Sequence, residues 1–324
     1  MLHTPLTTQW HLKYPIVSAP MAGVAYGRLA RAVTLAGGLG FIGMGSSALV
    51  STIEKESAIA RGSDNARFGI GLMIWAIQRR PELLDVSIAA KPYIISISFG
   101  DPAPYVDRLH REGILVATQV NSREHTRRAL NAGVDLIVAQ GTEAGGHTSQ
   151  VATLPLLQIV LDTVGGRCPV LAAGGIGSAR GLAAVLAAGA DGVWIGTALL
   201  ASQESAVTDP ARQRILSATE SDTTLTRAYD VAQKIPWPAE HPGRALRNTF
   251  TDRWTDHEAE LPQHPEAIAA YEDAVKRNDY TLAHIYAGQA VGMVGESRPA
   301  ADILRDLADG AEQLLRSRVR QLLE

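Results

Sequence analysis

One cysteine among 324 residues, Cys168, leaves no internal disulfide to form. A reducing cytoplasm is therefore the expected setting. Cys168 stands just before Pro169 at the start of an apolar run, away from the end of that run where chemistry is expected, and reads as structural. No apolar stretch approaches the roughly 18 residues of a membrane span. The opening MLHTPLTTQWHLKYP carries no apolar core of signal-peptide length. A basic excess is missing too: 30 Lys and Arg against 33 Asp and Glu give a formal charge of -3, which argues against nucleic acid as the main partner. There is no HxH, HxxxH or CxxC spacing, so no metal is expected. A GxSxG elbow is absent, as is a GxGxxG followed by an acid, which removes the familiar serine-hydrolase and Rossmann readings. What remains is 46% hydrophobic and 19% charged, the composition of an ordinary enzyme acting on a small molecule, with room for a homo-oligomer but no membrane role.

The most informative stretch is Pro169 to Thr197, PVLAAGGIGSARGLAAVLAAGADGVWIGT. Val170–Ala173 is a short apolar run bounded by Pro and Gly, which reads as a buried strand. Gly174-Gly175 then turns the backbone with its N–H groups bare, since no side chain shields them. Ser178 is a natural N-cap for a helix that Gly189 stops. Val193-Trp194-Ile195 forms the next strand, and Gly196-Thr197 is expected to open another helix at Ala198. Two glycine-tipped strand ends feeding helix N-termini make a site for an anion, most naturally a phosphate. Two such turns about twenty residues apart fit the phosphate cup after strands seven and eight of a (β/α)8 barrel.

The rest of the chain agrees with an α/β (β/α)8 TIM barrel. Apolar strand-like runs alternate with helical ones at PIVSAP (15–20), LGFIG (39–43), RFGIGLM (67–73), YIISISF (93–99), ILVATQV (114–120) and DLIVAQ (135–140). The stretch 169–197 supplies units seven and eight. From residue 203 to 290 the period breaks up among Pro236, Pro238, Pro242, Pro262 and Pro265, so the expectation is a mostly helical and looped insertion shaping the mouth of the barrel. The domain division is thus 1–202 for the barrel, 203–290 for the insertion, and 291–324 for a C-terminal amphipathic helix packed on its outer wall, with Ile303, Leu307, Leu314 and Leu315 as its apolar face.

Barrel active sites lie at the C-terminal ends of the strands. Those ends hold Met21, Gly71, Gln119 and Gln140, then the loop GTEAGGHTS after strand six. Gly145 and Gly146 bring that loop's backbone close to a ligand, and His147 stands next to them. An imidazole titrates near neutral pH, so His147 is the candidate acid or base. By spacing alone the ligand is a phosphate-bearing molecule, either flavin mononucleotide or a sugar phosphate, with its reactive end near His147. No paired acids or lysine stand at a strand end, which weakens an aldolase or isomerase reading.

APMAG (19–23), GTEAGGH (141–147), AAGGIG (172–177) and WIGTALL (194–200), with GRALRN (243–248) and AGQAVGMV (287–294), resemble the nitronate monooxygenase family, formerly called 2-nitropropane dioxygenases. That family's wider group includes FMN-dependent enoyl-acyl-carrier-protein reductases and NADH:quinone reductases. The resemblance implies FMN as cofactor and His147 as the catalytic histidine, taking the α-proton of a nitroalkane or orienting a nitronate. It implies FMN contacts from Met21, Gln140 and Gly145, with Gly175 and Trp194-Ile195-Gly196-Thr197 around the phosphate and ribityl chain. Gly71, Gln119, Gly146 and Gly174 complete the candidate cofactor set by position. Three residues depart from the family pattern: Gly71 where Asn is common, Trp194 where Gln is common, and Ser149 where Gly is common. The implied reaction is oxidation of an alkyl nitronate by dioxygen to a carbonyl compound and nitrite. Two alternatives remain: an FMN-dependent NAD(P)H:quinone or enoyl-thioester reductase, and a barrel that binds a phosphate ligand without catalysis. An inosine-monophosphate-dehydrogenase-like reaction is disfavoured, since GTEAGGHTS lacks a cysteine.

Overall fold

The computed structural model describes residues 2–323. Eight parallel strands close into a barrel: β1 (Ile16–Ser18), β2 (Phe41–Gly43), β3 (Gly69–Met73), β4 (Ile94–Ser98), β5 (Leu115–Val120), β6 (Leu136–Gln140), β8 (Val170–Ala173) and β9 (Gly192–Ile195), with β7 (Gly146–His147) standing outside the ring. Their order is β1-β9-β8-β6-β5-β4-β3-β2. The seam between β1 and β2 is held by a parallel bridge at Val17–Leu39, where the Ser18 N–H donates to the Leu39 carbonyl at 3.0 Å and the Leu39 N–H to the Ile16 carbonyl at 3.1 Å. The Ser18 hydroxyl reinforces it by accepting from the Phe41 N–H at 2.9 Å.

Side chains alternate across each strand, so one set fills the barrel and the other meets the helices. On β5, Val116 and Val120 join the strand–helix core while Ala117 joins the interior cluster. That alternation turns Gln119 inward, beside the inward Gln140 on β6. Leu6, Trp10 and Leu12 from the N-terminal segment stopper the interior at the other end, with Trp10 edge-on to Tyr93 at 5.7 Å. The floor is apolar and the mouth is polar.

Three sequence expectations are corrected here. Gly196-Thr197 leads into a short 3-10 turn, Thr197–Leu199, and not an α-helix. The insertion is not merely helical and looped: β10 (Thr223–Thr226) and β11 (Gly243–Leu246) pair antiparallel, and β11 pairs with β7. Finally, the C-terminal helix Ala300–Leu323 is an integral part of the barrel. It packs between the helices Ala179–Ala187 and Gly27–Ala36, in the place of the eighth barrel helix. Residues 203–290 are thus inserted between the last barrel strand and its own helix. A closed eight-stranded wall leaves an uncovered stripe beside β9 and β1, and this helix fills it. Its buried face is Ala300, Leu304, Leu307, Ala308 and Ala311, at helical spacing, and Gly310 allows close approach to Ala179.

Leu304 is fully buried where this last helix meets Gly27–Ala36. Leu304→Ala should cost about 2–5 kcal/mol of stability, read as a lower urea midpoint at unchanged slope. A change below about 0.5 kcal/mol would mean that the helix is only loosely docked.

Candidate active site

His147 reaches the mouth because its loop can lie close to another backbone. A Cβ on Gly145 would sit 2.5 Å from the Gly288 nitrogen, and Gly146 has φ +75°, which side chains rarely adopt. The loop is pinned further by the Gln289 N–H donating to the Glu143 carbonyl at 3.0 Å. β7 then pairs with β11, setting His147 opposite Gly243 and Gly146 opposite Arg244. From below, the Gln140 side-chain amide donates to the His147 carbonyl at 3.1 Å, and Asn121 Nδ2 donates to the Gln140 carbonyl at 2.8 Å.

The imidazole is gripped on its edge and on its face. Nε2 lies 2.9 Å from Asp230 Oδ1, with the two side chains only 8% and 4% exposed. Asp230 comes from the helix Ala228–Gln233 of the insertion. The Trp237 ring stacks on the imidazole, 3.5 Å between centroids and 8° from parallel. Trp237 also meets Trp75 at 5.0 Å and Phe99 at 4.9 Å, edge to face, so the wall around the imidazole is aromatic. Phe99, just beyond β4, holds φ +63°, a strained backbone that concentrates at functional sites. Tyr286 closes the far side at 5.5 Å from the imidazole.

Behind this pair lies a second buried histidine. The Tyr271 hydroxyl is hydrogen-bonded to His284 Nδ1 at 2.7 Å, and burial raises that hydroxyl far above its usual range. Burial pushes His284 down to about 4, outweighing the opposite pull of Asp230. His284 is therefore neutral at physiological pH.

The glycine turns after β8 and β9 present mostly backbone. Gly174 and Gly175 have φ +99° and +72°. Among the described residues, no N–H of Gly174, Gly175, Gly177 or Gly196 donates to a backbone carbonyl. Ser178 caps the helix Ala179–Ala187 by accepting from the Gly181 N–H at 3.3 Å. Glu143 is a local cap rather than a catalytic group: its carboxylate accepts from the Thr153 N–H at 2.7 Å and the Thr153 hydroxyl at 2.5 Å. The loop residues 143–147 join the cup to the imidazole, because Glu143 Cβ lies 3.4 Å from where a Gly175 Cβ would be.

The Trp194 side chain, 2% exposed, fills the barrel interior against Phe41 at 4.6 Å, and the Ile195 side chain faces the helices, so only their backbones stand near the cup. Gly71 lies inside β3 and not at its end, since the strand runs on to Met73. A Cβ there would come within 2.2 Å of Pro20 Cβ, which is why no larger side chain fits. The Thr197 hydroxyl accepts from the Gly288 N–H at 2.9 Å, tying the insertion to the cup. Met21 lies against Gly196, with its sulfur 3.3 Å from the position of a Gly196 Cβ. Gln119 and Gln140 both sit at the polar mouth. Cys168 is inert, its thiol pushed up to about 11 by burial.

Asp230, Trp237, His284 and Tyr286 were missed. All lie in the insertion, more than 80 residues from His147 in the chain. In AYDVAQ the acid reads only as a favourable charge in a helix's first turn. The prolines around Trp237 did mark an irregular, ordered loop, but nothing in them names its partner.

Compared with known proteins, the nitronate monooxygenase family model matches residues 69–310. The nitronate monooxygenase of Neurospora crassa is 29% identical, over 93% of this chain and 90% of that protein. A hydroxy-methyl-oxo-octahydro-indene-carboxyl-CoA dehydrogenase of Rhodococcus jostii is 36% identical over 71% of this chain. The match spans 64% of that dehydrogenase and 61% of a Mycobacterium tuberculosis relative that is 37% identical. FabK of Thermotoga maritima superposes with a TM-score of 0.87 at 31% identity, covering 99% of this chain and 100% of that one. These relatives carry names for different reactions, so the substrate is not inherited from them. No helix among the described residues is long and apolar enough to cross a membrane.

His284 gives the site a pH signature. An unfolded histidine binds a proton near pH 6.5 and the folded His284 only near 4, so the unfolded chain holds more protons between those values. Its contribution is complete above about pH 6.5 and is lost as the pH falls towards 4. Wild type should therefore lose about 2 kcal/mol more between pH 7 and pH 5 than His284→Gln does, by chemical denaturation at each pH. Parallel losses in the two proteins would contradict this.

Proposed function

The chain belongs to the nitronate monooxygenase family, and on that premise we propose that it is an FMN-dependent oxidoreductase that converts alkyl nitronates and dioxygen into a carbonyl compound and nitrite. The observation that carries the reading is a buried imidazole, hydrogen-bonded at one nitrogen, standing on the same short loop that borders a cup of bare amides. The fit to a flavin rests on that cup. The unpaired N–H groups of Gly174, Gly175, Gly177 and Gly196 would hold its phosphate, where no Cβ intrudes. Met21, Gln119, Gln140, Gly145 and Gly146 would border the ring, together with the backbone of Trp194 to Thr197. A flavin bound there would supply the electron transfer between the substrate carbon and dioxygen.

The chain's own work is to bind, exclude water and move one proton. His147 accepts the α-proton of a neutral nitroalkane, whose C–H electron pair passes onto the nitro group to form the nitronate. Trp75, Phe99 and Trp237 form an aromatic wall that suits a small apolar substrate and limits the access of competing water.

The purified protein should carry flavin absorption, or take it up from added FMN. Mixed anaerobically, ethyl nitronate should bleach that absorption and NADH should not. His147→Ala should lower turnover of neutral nitroethane by about 10²–10⁴-fold. Bleaching by NADH alone would replace the proposal with an NAD(P)H-dependent reductase. Unchanged turnover of nitroethane in His147→Ala would remove His147 from the chemistry, and a protein that takes up no FMN would leave only a phosphate-binding barrel.

A further inference from the structure

The contact between His147 and Asp230 says which nitrogen does the work, and it comes from a residue that no motif marks. Nε2 and Asp230 Oδ1 are 2.9 Å apart. The other carboxylate oxygen, Oδ2, is buried and meets no hydrogen-bond partner among the described residues. A carboxylate can only accept. Sequestered from water with one oxygen unsatisfied, this one gains most from a full donor at the other, and the imidazole N–H is the donor within reach. The Tyr286 ring and the neutral His284 close the far side without bringing a positive charge.

Resting on the nitronate reading above, we infer that Asp230 is a positioning residue that holds His147 in the tautomer with the proton on Nε2, leaving the Nδ1 lone pair as the atom that takes the substrate α-proton. The ring cannot readily turn over to exchange its nitrogens. Trp237 lies flat on one face at 3.5 Å, and the His147 backbone is fixed by its pairing with Gly243 and by Gln140. When the α-carbon gives up its proton to Nδ1, the C–H electron pair moves onto the nitro oxygens and the imidazole becomes cationic. That new charge lies against Asp230, which costs no rearrangement at the moment it forms. An already anionic nitronate has no such proton to give, so its oxidation does not call on this arrangement.

Asp230→Asn tests the inference because it keeps the hydrogen bond and reverses its direction. The new amide donates to Nε2, which forces the ring proton onto Nδ1 and removes the base. Turnover of neutral nitroethane should fall about 10²–10⁴-fold in kcat with little change in KM. Oxidation of ethyl nitronate should fall less than that of nitroethane, and Asp230→Glu should recover part of the nitroethane activity. A readout independent of flavin and turnover is the ¹⁵N spectrum of histidine-labelled protein, with His147 assigned by its loss in His147→Gln. Wild type should show protonated Nε2 and bare Nδ1, and Asp230→Asn the reverse. Protonated Nδ1 in wild type, or equal loss on both substrates in Asp230→Asn, would falsify the inference. Wild type inactive on ethyl nitronate would count against the nitronate reading alone, and the ¹⁵N spectrum would still decide the tautomer.

Discussion

Everything at the barrel mouth depends on how closely two backbones approach. Gly145 lies so near Ala287 and Gly288 that a single methyl group would overlap main-chain atoms. That contact pulls the loop after β6 against the insertion, and the short ladder between β7 and β11 follows from it. Without it, His147 would hang from a surface loop and Asp230 would be a buried charge with no donor. Leaving a carboxylate in that state costs several kcal/mol, so the contact is energetically consequential as well as geometrical.

The insertion is therefore part of the site and not a cover added to it. Its own core, with Tyr229, Phe250, Trp254 and Tyr271 buried together, keeps the helix bearing Asp230 in place. GRALRN belongs to this scaffold. Gly243 makes room for Tyr286, Arg244 donates through Nε to the Thr142 carbonyl at 2.8 Å, and Asn248 caps the helix Thr249–Trp254. Because the chain leaves the barrel after β9 and returns to it with the helix Ala300–Leu323, both ends of the insertion are anchored to the wall. A clamp held at both ends can fix an imidazole better than a free loop could.

How much of this was legible in the chain follows from the range of each interaction. The barrel was visible because each βα unit carries its own signal, a short apolar run followed by a helical period. The cup was visible because Gly174 and Gly175 sit next to each other and next to their strand. The place of the Trp194 side chain was not legible, since nothing in its motif says that the barrel interior claims it against Phe41. The C-terminal helix was recognised as amphipathic, but its place as the eighth barrel helix was hidden by the insertion that separates it from β9.

Local pattern determined the fold class, the glycine cup and the candidate imidazole, because strand alternation, positive-φ turns and a histidine beside two glycines are all short-range features. Tertiary structure alone decided what that imidazole can do. His147 and Asp230 are 83 positions apart, the stretch between them carries no periodicity that would announce their meeting, and Trp237 stacks from a proline-rich loop whose direction no local rule predicts. A hydrogen bond's partner and direction depend on where distant segments are brought together and on how little water remains there, and that is settled only when the barrel and its insertion have packed.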